Sequence, residues 1–125
     1  MDVDLTRLPR AGSLLAAARF ALCGYDVSWP LEPCRYDLLV SKSDKSLRVQ
    51  VKTTRHHANG TWVARLHTGG RSRGAYDPDD NDYFFVIDGT LAQYLIPVAA
   101  VAGFGTIYLS AYPSYRLADP DLQPT

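Results

Sequence analysis

Arg35-Tyr36-Asp37-Leu38-Leu39-Val40 and, after a polar break from Ser41 to Ser46, Leu47-Arg48-Val49-Gln50-Val51-Lys52-Thr53-Thr54 are the segments whose reading decides the fold. In the second segment Leu47, Val49 and Val51 alternate with Arg48, Gln50 and Lys52. That is the two-residue period of a strand with one core face and one chemical face. The polar break supplies turn residues, so the two segments form a hairpin. With the turn centred on Ser43-Asp44, paired positions sum to 87, which sets Leu38 against Val49 and Asp37 against Gln50. Directly opposed residues hold their β-carbons about 5 Å apart. Lys52, two residues on, points to the same side. Symmetric lengthening of the turn preserves this register, and a bulge breaks it.

Upstream, Pro9 suits a first helical turn and Gly24 a C-terminal stop. Between them Leu14, Ala18, Ala21 and Leu22 recur at helical spacing and predict the apolar stripe of a helix. Tyr25 to Trp29 reads as a short strand ended by Pro30. Downstream, Asn59-Gly60 is a strong hairpin signal, so Thr61 to His67 is expected to return antiparallel to Leu47–Thr54. Gly69 to Asp82 is a polar loop; Tyr83 to Ile87, Tyr94 to Ile96 and Ile107 to Ala111 are strands, with a short helix from Pro97 to about Ala102. This mixture predicts an α/β or α+β fold on a mixed sheet.

The chain of 125 residues has the size and composition of one domain. We read that domain over residues 1–113, followed by a Pro- and Asp-containing tail of little order over 114–125. Cys23 and Cys34 lack the C-x-x-C spacing of a zinc knuckle and read as small buried apolar residues. Arg19 interrupts the apolar run after Arg7 and Arg10, leaving neither a signal nor a membrane span, so the expected location is cytoplasmic. The formal net charge of zero conceals a division: residues 1–75 carry twelve Lys/Arg against six Asp/Glu, net +6, and residues 76–125 one against seven, net −6. A basic portion is what phosphate binding requires.

A carboxylate at Asp37, the amide oxygen of Gln50 and a strand carbonyl such as that of Val51 form an oxygen-rich site suited to a hard divalent cation, Mg²⁺ or Mn²⁺. Phosphate oxygens complete it, and Lys52 is then placed to orient a nucleophile or offset developing negative charge. The alternative is a surface hairpin that carries these three residues without chemistry.

Those segments, preceded by a helix ending Gly24-Tyr25 and followed by Asp82-Tyr83-Phe84, resemble the PD-(D/E)XK nucleases associated with group I introns, over residues of about 9 to 100. The resemblance implies a restriction-endonuclease-like mixed sheet flanked by helices. It also implies a metal-dependent endonuclease in which Asp37 and Gln50 hold the ion and Lys52 is the catalytic lysine; Gln before x-Lys is a known variation in that group. Such nucleases often add a Glu from the first helix. Here Ser13, Ala16 or Ala17 occupies the plausible positions, and the one Glu of the chain is Glu32, in the loop before Asp37.

Arg35, Arg48, Arg55, Arg65, Arg71 and Arg73 are candidate phosphate contacts, the last two from a Gly-rich loop. Pairing through Asn59-Gly60, where positions sum to 119, sets His67 across from Lys52 as a further candidate. Neighbouring His56 and His57 point to opposite faces of a strand and do not share a zinc ion. The acidic run Asp77 to Asp82 lacks the central Gly of a calcium loop. The expected partner is double-stranded or branched DNA, with the protein a homodimer or homotetramer because cutting two strands needs two centres. A non-catalytic DNA-binding module with a degenerate metal site is the alternative, and an interaction protein using its acidic C-terminal portion is a third reading.

Overall fold

A computed structural model describes residues 1–66 and 80–119. After one turn of 3-10 helix capped by Asp4, α1 runs over Leu8–Leu22, with Pro9 in its first turn. It stops as the sequence predicts. Gly24 takes a left-handed conformation, its N–H donates to Ala21 O, and the N–H of Tyr25 donates to Phe20 O. This is the Schellman arrangement, with its usual apolar contact supplied by the edge-to-face rings of Phe20 and Tyr25 at 5.4 Å.

The helix buries a different face from the one expected. Leu8, Gly12, Ala16 and Phe20 point inward, whereas Leu14 and Leu22 are 65% and 81% exposed. The cause is a close approach to the sheet: a β-carbon on Gly12 would lie 2.6 Å from the Thr53 methyl and 3.3 Å from Val51 Cγ1. Only small residues fit at the crossing, so Gly12 and Ala16 take it and the larger aliphatics are turned outward. Cys23 follows the same side and is exposed; Cys34 is half-buried, so neither thiol is a core residue.

The strands that follow are β1 (Asp26–Ser28), β2 (Leu38–Lys42), β3 (Lys45–Thr53), β4 (His57–Ala58), β5 (Thr61–Arg65), β6 (Tyr83–Ile87), β7 (Gln93–Pro97) and β8 (Thr106–Tyr108). The main sheet has the order β1-β2-β3-β6-β7, antiparallel except for the parallel pair β3–β6. The β2–β3 register runs from Lys42↔Lys45 to Leu38↔Val49, as the alternation predicts. Val98–Val101 forms a 3-10 turn where a short helix is expected, and Leu109–Ala111 forms another at the end of the last predicted strand.

A second correction concerns the Asn59-Gly60 hairpin. It forms, with His57↔Trp62 and Ala58↔Thr61 paired and both turn residues at positive φ, but β5 joins β8 in a separate three-stranded sheet instead of returning along β3. The edge of β3 belongs to β6, whose Phe84, Phe85, Val86 and Ile87 are all buried and require cover on both faces. Thr54 turns the chain away, its N–H donating to Ile87 O and its hydroxyl to Val63 O. Lys52 consequently pairs with Val86; His67, expected across from it, lies outside the described residues.

Alternation along β6 divides the core in two. Phe85 and Ile87 join Leu38, Val40, Val49, Ala16 and Phe20 beneath α1, and Phe84 and Val86 join Ile96, Ala64, Leu66 and Ile107 beneath the small sheet. The expected C-terminal tail is in part attached: Arg116 bridges Tyr94, and Leu117 N–H donates to Gln93 O at the open edge of β7. Residues 120–125 lie outside the described region.

The helix phase is testable by urea unfolding. Phe20→Ala is expected to cost about 3–5 kcal/mol, and Leu14→Ser and Leu22→Ser each less than about 0.5 kcal/mol. The opposite ranking would restore the face that sequence periodicity favours.

Candidate active site

Val49, Val51 and Thr53 of β3 and Leu38 and Val40 of β2 are turned toward α1. Alternation therefore gives the opposite face of the sheet to Arg48, Gln50 and Lys52, and to Asp37 just before β2. The backbone arrangement at Asp37 departs from the predicted pairing. The last regular pair is Leu38↔Val49, and Asp37 N–H donates to Val49 O at 2.9 Å. Its carboxylate Oδ2 then accepts the N–H of Val51 at 2.7 Å. Asp37 is thus not the simple ladder partner of Gln50; it is fixed to the residues on either side of Gln50. The reason is local: the chain leaves the sheet here, and a side-chain oxygen takes the strand N–H that the ladder no longer serves.

Asp37 is half-buried, and burial raises its carboxyl above the ordinary range. The Val51 hydrogen bond and the charge of Lys52 oppose this rise, and the negative charge of Glu32 adds to it. Lys52 and Glu32 are therefore both within electrostatic reach of Asp37. Glu32 is exposed in the loop, where its Oε2 accepts the Cys34 N–H at 3.2 Å. From α1, Ala16 is fully buried in the core on the other face of the sheet.

Two of the arginines expected on DNA have carboxylate partners within the fold. Arg48 donates from Nε to Asp82 Oδ2 at 3.2 Å and from its terminal nitrogen to Oδ1 at 3.3 Å. Their backbones reinforce the clasp, Arg48 N–H donating to Asp82 Oδ2 and Asp82 N–H to Arg48 O. Burial pushes Asp82 up, but the side-chain and backbone bonds and the charge of Arg48 outweigh it and hold the carboxyl below its usual value. Arg35 is paired with Asp80 at 2.8 Å. Arg55 and Arg65 are exposed, and His67, Arg71 and Arg73 lie outside the described residues.

The sequence reading passed over Asn81, which is fully buried; its side-chain N–H donates to Arg35 O at 3.0 Å. It ties the loop before Asp37 to the start of β6. Its one signal in the sequence is an amide immediately ahead of an apolar strand. His57 packs edge-on against Trp62, ring centres 4.8 Å apart. Among the described residues no cluster of three or more His, Cys, Asp or Glu side chains is arranged to hold a metal. Alternation sets the Asp37 carboxylate and the Gln50 amide on one face, hard oxygens that suit an oxygen-preferring cation but supply little charge.

Residues 11–114 match a family model described as PD-(D/E)XK endonuclease. Among solved structures, a bacterial homing endonuclease, I-Ssp6803I, is similar in fold with a TM-score of 0.68 and 22% identity, over 92% of this chain and 78% of that one. No curated protein matches the sequence.

The raised carboxyl of Asp37 has a consequence for stability. Asn at this position keeps an acceptor for Val51 N–H and removes the desolvated charge. A carboxyl whose folded value is raised stabilises the fold below its unfolded value and loses that contribution as pH rises through the folded one. Asp37→Asn is therefore expected to melt at the same temperature as the wild type or higher at pH 7, with the gap closing at pH 4. A markedly lower melting temperature at pH 7 would contradict the geometry.

Proposed function

Because the chain belongs to the PD-(D/E)XK endonuclease family, we propose that it hydrolyses phosphodiester bonds in DNA, with Asp37, Gln50 and Lys52 as the reacting face. The observation that carries this reading is the Asp37 carboxylate locked on Val51 N–H with the Lys52 charge in reach. One carboxylate oxygen is engaged by β3. The other, with Gln50 Oε1 and the Val51 carbonyl, would hold a divalent cation such as Mg²⁺ or Mn²⁺, completed by phosphate oxygens of the substrate. Bound there, the ion supplies Lewis-acid polarisation of the phosphate and a more acidic water.

Lys52 supplies a fixed positive charge beside the phosphorus, where negative charge develops as the nucleophile adds. Asp37 acts only as the carboxylate, the form that would hold the cation. Exposed Arg55 and Arg65 contribute phosphate contacts, with Arg71, Arg73 and His67 as further candidates. Arg35 and Arg48 position the substrate face through Asp80 and Asp82. One domain carries one centre, so cutting both strands calls for a homodimer or homotetramer. No described helix is long and apolar enough to cross a membrane, and the reading includes a cytoplasmic location.

The scarcity of carboxylates favours a second reading, a DNA-binding module that keeps the fold with a degenerate metal site. Incubation of supercoiled plasmid and four-way-junction DNA with Mg²⁺ separates the two. The wild type is expected to cut, and Asp37→Asn and Lys52→Ala each to lose about 100-fold or more. Equal activity in all three proteins would defeat catalysis at this face; salt-sensitive binding without cutting in any of them would favour the module.

A further inference from the structure

The loop that delivers Asp37 carries an apolar tip that none of the described residues covers. Leu31 is 93% exposed and Trp29 is 55% exposed, with Pro30 between them. Of the other exposed apolar residues, which include Val3, Leu91 and Phe104, Leu14 and Leu22 sit on the outer side of α1, beyond the opposite face of the main sheet. The base of the loop, by contrast, is tied down. The Arg35 carbonyl is held by buried Asn81 and the Arg35 guanidinium by Asp80. Leu31 and Trp29, two large apolar side chains presented in water from one anchored loop, gain nothing from burial within the described chain and are free to meet a partner.

Geometry places that partner. Ser28, the last residue of β1, pairs with Leu39, two residues past Asp37. Strand spacing of about 5 Å and a rise of about 3.3 Å per residue put Ser28 roughly 8 Å from Asp37. Leu31 is three residues farther, at most about 11 Å of extended chain. The tip therefore stands within about 20 Å of Asp37, on the order of six base steps along a duplex. Charge selects what the tip can touch. Glu32 directly follows Leu31, so the tip itself offers no cationic phosphate contact and what it presents to a duplex is apolar.

We infer that Trp29-Pro30-Leu31 is a DNA wedge: Leu31 enters between base pairs near the phosphate bound at Asp37, and the enzyme cuts duplex that it has locally unstacked and kinked. Apolar wedges of this kind open a base step and bend the duplex toward the major groove. Trp29 offers an aromatic face on which a displaced base can stack. The choice of partner rests on the nuclease reading above, and the test separates the two.

Leu31→Ser, a substitution at a fully solvated position, is compared with Leu31→Met and wild type on one plasmid in relaxed and in negatively supercoiled form. Negative supercoiling supplies unstacking that the wedge would otherwise drive. Leu31→Ser is expected to cut relaxed DNA about 10-fold more slowly and supercoiled DNA less than about 3-fold more slowly, with Leu31→Met close to wild type on both. No loss, or equal loss on both forms, overturns the wedge. In parallel, permanganate oxidation of unstacked thymines is read with Asp37→Asn protein and with the Asp37→Asn, Leu31→Ser double variant. Reactive thymines that depend on Leu31 support the wedge even where no protein cuts, which would sink only the nuclease reading; absence of such thymines overturns the wedge itself.

Discussion

The hydrogen bond from Val51 N–H to the Asp37 carboxylate is the interaction on which the rest depends. It forms where β2 gives out and β3 continues, so a side chain and not a backbone carbonyl closes the ladder. A bond of this charge-assisted kind contributes about 1.5–3 kcal/mol net. It offsets part of the cost of half-burying a carboxylate, and burial still prevails, since the Asp37 carboxyl remains raised. The fold thus holds a negative charge that water no longer fully satisfies, on the face shared with Gln50 and Lys52. A carboxylate in that state favours a nearby cation.

Around that bond the protein uses its charges as struts. The Arg48–Asp82 clasp joins β3 to the start of β6, the one parallel junction in the main sheet. Asn81 and Asp80, the residues just before it, reach across to Arg35. The loop from Trp29 to Tyr36 is therefore held at its base by the strand that flanks the active face on the other side. Charge halves that are separate in sequence meet here: basic residues of the first 75 positions are neutralised by acids of the last 50. The division along the chain is spent partly on the fold.

What could be read from the sequence was what neighbouring residues decide. The β2–β3 register followed from strict alternation and a polar turn, and helix termination from Gly24, whose left-handed conformation has no easy substitute. The helix face did not follow, because α1 carries apolar residues around its circumference. Which side is buried depends on the gap of a single β-carbon between Gly12 and Thr53. The partner of β3 was also out of reach: a tight Asn59-Gly60 turn is a local signal, and it is the four buried residues of β6, thirty positions on, that claim the edge. At the site, the placing of Gln50 and Lys52 opposite the core face of Val49 and Val51 was legible from alternation. The one-residue departure at Asp37 was not, because it arises where the ladder ends and side-chain chemistry takes over.

The account stands or falls on where a divalent ion binds. Titrating Mn²⁺ into ¹⁵N-labelled protein and following amide line broadening measures this directly, since the paramagnetic ion erases signals nearest to it. The amides of Asp37, Gln50, Val51 and Lys52 should vanish first, and those losses should disappear in Asp37→Asn. Broadening that instead centres on Asp80, Asp82, Asp88 or Asp119 and leaves Val51 sharp would contradict the site.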